Sequence, residues 1–159
     1  MITHHLTDGQ LHIPAIPRSV ALGLFDGLHP GHRRVILTAV RECEDSLSRA
    51  VYTFDPHTVT TKVVIGRLCD DPEEQQLLQT MGVEELFKAD FSAVRHLTPA
   101  EFVEQVLVAQ LNAKRVTCGF NYRFGAGGAG DAALLTELCA AHGIAVTVVP
   151  EVDCCGMPV

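Results

Sequence analysis

The chain has no excess of positive charge: twelve Lys and Arg stand against nineteen Asp and Glu over 159 residues, a formal net charge of -7. That balance excludes broad electrostatic attraction to nucleic acid or to an anionic membrane, so neither is expected as a partner and any phosphate site must be local. No apolar run approaches the ~20 residues that a membrane-spanning helix needs. Met1-Ile-Thr-His-His5 has neither the charged nor the apolar region of a secretory signal, and a cytoplasmic protein is expected. The six cysteines Cys43, Cys69, Cys118, Cys139, Cys154 and Cys155 include no Cys-x-x-Cys pair, and an apolar content of 47% needs no disulfide staples. Most read as small hydrophobes in a reducing compartment, and the adjacent Cys154 and Cys155 are assigned no role. Internal repeats and low-complexity tracts are also missing. The length suits one domain with a substantial core, and no oligomeric state is read from the sequence.

What is present alternates between two periodicities. Apolar stretches at Ser19 to Phe25, Arg49 to Phe54, Glu85 to Ala89, Arg115 to Cys118 and Ile144 to Val149 read as strands. Asp8-Gly9 between Leu6 and Leu11 suggests a short hairpin or an edge extension before them. Ile36, Val40, Cys43 and Leu47 recur at helical spacing, which predicts a helix from about His32 to about Ser48. Asp70-Asp-Pro-Glu-Glu74 opens a helix that runs through Met81 and is closed by Gly82. Phe91 to Leu97 is a connection. Thr98-Pro-Ala-Glu101 is a capping box for a helix with Phe102, Val103, Val106, Leu107 and Leu111 on one face, ending near Asn112. Asp131 caps a last helix bearing Leu134, Leu135, Leu138 and Cys139, which Gly143 terminates. Thr60 to Ile65 reads as a mobile loop or a short strand. Strands alternating with helices imply an α/β, Rossmann-like doubly wound parallel sheet with helices on both faces and about five strands.

Three junctions carry chemistry. Ala21-Leu-Gly-Leu-Phe-Asp-Gly-Leu-His-Pro-Gly-His32 runs from a strand through a glycine-rich turn into a helix whose unpaired amides and dipole favour an anion. His29 and His32 lie on one side of that turn, and imidazole donates to phosphate oxygens whether neutral or protonated. A zinc site would need three or four protein ligands, of which only two are visible. Thr53-Phe-Asp-Pro-His57 ends the next strand and, taken alone, is an ordinary turn. Gly119-Phe-Asn-Tyr-Arg-Phe-Gly-Ala-Gly-Gly-Ala-Gly130 holds five glycines, too many for a packed element, and offers flat aromatic faces with the amide of Asn121. Arg123 is chemically able to meet phosphate.

Taken together, Gly23-x-Phe-Asp-Gly-x-His-x-Gly-His32, Thr53-Phe-Asp-Pro-His57 and the Gly-x-Asn-Tyr-x-Phe-Gly run resemble, in order, the motifs of bacterial FAD synthetases, the bifunctional riboflavin kinase/FMN adenylyltransferases. Thr58 stands where that family usually has a second proline, which removes the ring's restraint on φ. The resemblance implies that His29 and His32 are catalytic. It implies that Gly23, Phe25, Asp26, Gly27, His29, Gly31, His32 and Asn121 bind nucleotide, and that Phe54, Pro56, His57 and Phe124 bind flavin. No protein metal ligands are assigned.

The chemistry so implied is transfer of AMP from ATP to FMN, giving FAD and pyrophosphate with Mg²⁺ assisting. The histidines would stabilise charge rather than act as nucleophiles. A single nucleotidyltransferase domain over 1–159 is expected, stopping before the family's Ser-Ser-Thr-x-x-Arg segment and without a riboflavin kinase domain. Two other readings stay open: a non-catalytic module that binds flavin or adenine nucleotide, and a nucleotidyltransferase with another phosphate acceptor.

Overall fold

A computed structural model describes residues 1–6, 14–23, 30–54 and 72–150. In chain order the strands are β1 (Ile2–Leu6), β2 (Arg18–Leu22), β3 (Ser48–Phe54), β4 (Glu85–Ala89), β5 (Ala113–Gly119) and β6 (Ala145–Val149). The helices are α1 (Pro30–Arg41), α2 (Pro72–Met81), the single turn α3 (Phe91–Val94), α4 (Pro99–Phe102), which continues as π-helical turns over Val103–Gln110, and α5 (Ala132–Ala140). All six strands are parallel, in the order β1-β4-β3-β2-β5-β6.

The expected α/β sheet is present with one strand more than the five anticipated. Ile2–Leu6 forms an edge strand parallel to β4; Asp8-Gly9, where a hairpin or edge extension is expected, lies outside the described residues, as does Thr60 to Ile65. Successive side chains of a strand point to opposite faces, and β2 shows it. Ala21 joins Val51 and Leu86 against Val35, Ile36 and Ala39 of α1 and Leu78 of α2. Val20 and Leu22 join Tyr52 and Phe87 against Phe102, Val103, Val106 and Leu107, with Leu135 and Cys139 of α5. Helices therefore cover both faces.

Helix α1 stops at Arg41, well before Ser48. Leu47 is nonetheless buried, because a turn closed by Leu47 N–H donating to Glu44 O at 3.0 Å tucks it inward. Its helical spacing was an accident of that turn. The stretch Phe91 to Leu97, expected as a plain connection, contains the turn α3. The helix capped at Thr98 has both reciprocal bonds of the capping box, Thr98 N–H to Glu101 Oε1 at 2.9 Å and Glu101 N–H to Thr98 Oγ1 at 3.1 Å. It then widens into i to i+5 bonding, ending with Leu111 N–H on Val106 O at 2.9 Å. The apolar pairs 102–103 and 106–107 and then Leu111 recur more slowly than an α-helix turns, which suits the wider coil.

At the amino ends of β2, β3 and β4 sits a buried polar knot. Arg18, fully buried, grips Glu85 with two bonds of 2.7 and 3.1 Å and donates to Leu111 O at 2.9 Å and Pro14 O at 3.0 Å. Glu85 also accepts from Ser48 Oγ at 2.6 Å and is bonded to His4 Nε2 at 3.0 Å. His4 stacks on Phe87 at 4.5 Å, and the Arg18 guanidinium stands 5.1 Å from the same ring. Burial works to raise the Glu85 carboxyl, but the bonds from Arg18 and Ser48, the charge of Arg18 and the bond with His4 outweigh it and hold the group below the ordinary carboxylate range.

After β2 the chain builds β3 and β4 to one side and then crosses back to lay β5 on the other. In such sheets ligands collect outside the carboxyl ends of the strands where the order reverses. That crevice lies between the ends of β2 and β5.

Candidate functional site at the carboxyl ends of the strands

Helix α1 begins at Pro30, so Gly31 and His32 stand in its first turn as expected. A side chain added at Gly31 would meet nothing within 4 Å among the described residues, and the amides of that first helical turn suit an anion. Gly23 ends the strand side of the junction, its N–H reaching Tyr52 O at 3.4 Å. Phe25, Asp26, Gly27 and His29 lie outside the described residues. From β5, a Cβ on Gly119 would stand 3.4 Å from Asn121 Oδ1 and 3.9 Å from Val35 Cγ2. The amide of Asn121 thus folds over a glycine packed one helical turn beyond His32. Two sequence-distant motifs are brought to one crevice.

At the carboxyl ends of β3, β4 and β5 a cavity of about 310 Å³ opens, walled by Phe54, Phe91, Phe102, Tyr122 and Phe124, with Arg95 and Arg123 also lining it. Phe54 and Phe124, singled out in the sequence, share this cavity. Pro56 and His57, which follow Phe54, lie outside the described residues. The rings brace one another mostly edge to face: Phe54 with Phe91 at 5.1 Å and 83°, and Tyr52 with Phe54 at 6.0 Å and 74°. Phe102 meets Phe124 at 5.6 Å, and Tyr122 lies parallel to Phe124 at 5.9 Å. Such contacts fix the walls before any ligand arrives.

Phe124 is held by its backbone as well. It exchanges two hydrogen bonds with Gly130, at 3.2 and 2.8 Å, and a Cβ on Gly130 would stand 2.6 Å from the Phe124 ring. Gly125, at φ +81°, packs so closely on Pro99 that a Cβ would come within 2.8 Å of its ring. Ala126 N–H donates to Leu97 O at 2.6 Å. The glycines are there for close approach, and the loop is a fastened one.

The floor is dry. Burial pushes the phenols of Tyr52 and Tyr122 well above their ordinary range, and it lifts the Cys118 thiol to about 11 and the Cys139 thiol to about 12. The Tyr52 hydroxyl finds no hydrogen-bond partner among the described residues. None of these groups is poised to transfer a proton at neutral pH.

Sequence reading missed Phe91, Phe102 and Tyr122 as wall residues and Arg95 altogether. Phe102 was assigned to packing, and it does pack in the core while also lining the cavity. The available signal was topological: Phe54, Phe91 and Tyr122 all stand just at or beyond strand ends on one side of the sheet.

The fold and crevice define a doubly wound α/β protein of the kind that seats ligands at a switch point. A family model described as FAD synthetase matches residues 14–159. FAD synthetase 2, chloroplastic, of Arabidopsis thaliana is 35% identical over 139 residues, covering 84% of this chain and 37% of the relative. FAD synthetase of Listeria monocytogenes is 32% identical over 139 residues, with 84% and 56% covered. A crystal structure from Streptococcus pneumoniae, described as a macrolide-efflux protein, superposes with a TM-score of 0.73 at 30% identity, over 96% of this chain and 51% of that one. The chain belongs to the FAD synthetase family. It spans between about a third and just over half of the length of the curated relatives it matches.

Proposed function

We propose that the chain is an FMN adenylyltransferase, moving AMP from ATP onto the phosphate of FMN to give FAD and pyrophosphate. One observation carries the reading within the family: Phe54 and Phe124, seventy positions apart in sequence, wall a single aromatic cavity at the end of the sheet where α1 begins. A planar flavin ring fits flat aromatic walls, and a polyphosphate fits the first turn of a helix.

The reaction needs no covalent intermediate on the protein. An oxygen of the FMN phosphate attacks the α-phosphorus of ATP, one P–O bond forms, and the bond to pyrophosphate breaks. The protein's part is alignment and the neutralisation of charge on the α-phosphate and the leaving group. His29 and His32 are assigned that charge-stabilising role, with the backbone of Gly23, Phe25, Asp26, Gly27 and Gly31 and the amide of Asn121 on the nucleotide. Pro56 and His57 are assigned with Phe54 and Phe124 to the flavin.

Mg²⁺ belongs to this scheme as part of the ATP substrate. Such an ion is held largely by phosphate oxygens rather than by a protein cage. No helix among the described residues is long and apolar enough to cross a membrane, and the acidic surface offers nucleic acid no footing. A cytoplasmic enzyme acting on small molecules is the consistent setting.

Release of pyrophosphate from ATP on addition of FMN tests the assignment. His32→Ala is expected to lower turnover by roughly a hundredfold, the scale of one lost transition-state donor, while changing FMN affinity little. FMN binding without pyrophosphate release would instead mark a binding module. Release that needs an acceptor other than FMN would mark a different transferase.

A further inference from the structure

We infer that Arg95 and Arg123 form a cationic clamp at the mouth of the aromatic cavity that recognises the phosphorylated tail of the flavin, and so set a preference for FMN over riboflavin. The inference rests on the flavin reading of the cavity and adds the residues that choose the form of flavin admitted.

Charge gives the first argument. The chain carries nineteen acidic residues against twelve Lys and Arg, yet among the described residues the two charged side chains lining the cavity are both arginines. Two cations on an apolar pocket, in an acidic protein, concentrate attraction for an anion at one place.

Position gives the second. Phe102 and Phe124 are buried and the other wall rings half-buried, whereas Arg95 and Arg123 are exposed, which puts the guanidinium groups on the solvent side of the rings. At about 310 Å³ the cavity stands at the lower end of small-molecule sites. A flavin ring held among the aromatic walls would carry its polar phosphate chain toward solvent, the side on which the exposed arginines stand.

The third argument is preparedness. The Arg18 and Arg49 guanidiniums are occupied by Glu85 and by Asp45 and Glu84. Among the described residues no hydrogen bond or ion pair engages the guanidinium of Arg95 or Arg123. Their backbones, by contrast, are fixed. Arg95 N–H donates to Phe91 O at 2.9 Å, and Arg123 is flanked by Tyr122 N–H on Gly119 O at 3.1 Å and by the bonds between Phe124 and Gly130. A rooted side chain with an uncommitted planar fork suits bidentate capture of phosphate, and arginine does this where lysine offers only a point charge.

Titration of the purified protein with FMN and with riboflavin, followed by flavin fluorescence, tests the clamp. The unaltered protein should bind FMN more tightly than riboflavin. Arg95→Gln and Arg123→Gln should each weaken FMN roughly tenfold, and the double variant should bring the two flavins to equal affinity with riboflavin binding unchanged. Arg95→Lys with Arg123→Lys should restore only part of the preference. Both positions are exposed, so circular dichroism should report an unaltered fold. A double Gln variant that keeps the FMN preference, or one that loses both flavins equally, overturns the clamp while leaving the cavity as the flavin site. If the unaltered protein binds neither flavin, the cavity reading itself falls, and the clamp with it.

Discussion

The two ends of this sheet are built by opposite rules. At the amino ends of β2, β3 and β4, charge is buried and paired: Arg18 and Glu85 meet in two bonds, and Ser48, His4 and the backbone carbonyls of Pro14, Ile16 and Leu111 complete their shells. At the carboxyl ends, aromatic rings wall a cavity, and Tyr52, which packs on Phe54 and Phe102 of that wall, has a hydroxyl with no partner among the described residues. Satisfied polar groups specify a fold, and unsatisfied surface is what a ligand completes. Damage at the first end should cost stability, and damage at the second should cost binding.

The contrast is broken most forcefully at Glu85. Glu85→Gln leaves the guanidinium of Arg18 buried without its counter-charge, and urea unfolding should show a loss of about 3–5 kcal/mol. Flavin affinity of the molecules still folded should be unchanged. The same group sets an acid limit. Its carboxyl is held low in the folded state, so its contribution is complete above the ordinary carboxylate pKa near ~4.3 and is lost as pH falls through the lower folded value. Stability measured against pH in the acid range should flatten in the Gln variant.

Gly130 tests the other end. A methyl group there would strike the Phe124 ring, and overpacking of this kind costs about 1–3 kcal/mol, here expected chiefly as weaker FMN binding because the displaced ring is a cavity wall. Phe124→Leu in the same molecule should relieve the clash, so the two changes should be clearly non-additive in FMN titrations. Additive losses would mean that Gly130 acts through the fold alone.

The smallest effect is expected at Asp131, whose carboxylate accepts from Leu134 N–H at 2.9 Å. Asp131→Ala should lower stability by about 1 kcal/mol. FMN affinity should not move, since the cap faces neither the cavity nor the crevice.

Most of this architecture was legible from periodicity and punctuation. Strand Glu85–Ala89, helix Pro72–Met81 with Gly82 at φ +104°, the Thr98 capping box and the Asp131 cap all stand where local chemistry puts them. What local chemistry could not reveal was whatever depends on partners distant in sequence. Arg18 reads in the chain as a charge at a strand's edge, and only the register of β2, β3 and β4 turns it into the centre of a knot. Leu47 mimicked a helical repeat because a turn can bury a side chain as well as a helix can. The cavity was half visible: the motifs yielded Phe54 and Phe124, but Phe91 and Phe102 acquire their place only when β4 and α4 are laid beside β3.

A crystal structure of the protein with FMN and a non-hydrolysable ATP analogue tests the central claim most directly. The account predicts the flavin ring between Phe54 and Phe124, with the α-phosphate over the first turn of α1 beside His32. A flavin ring seated outside the aromatic cavity, or a polyphosphate bound away from that helix end, would contradict it.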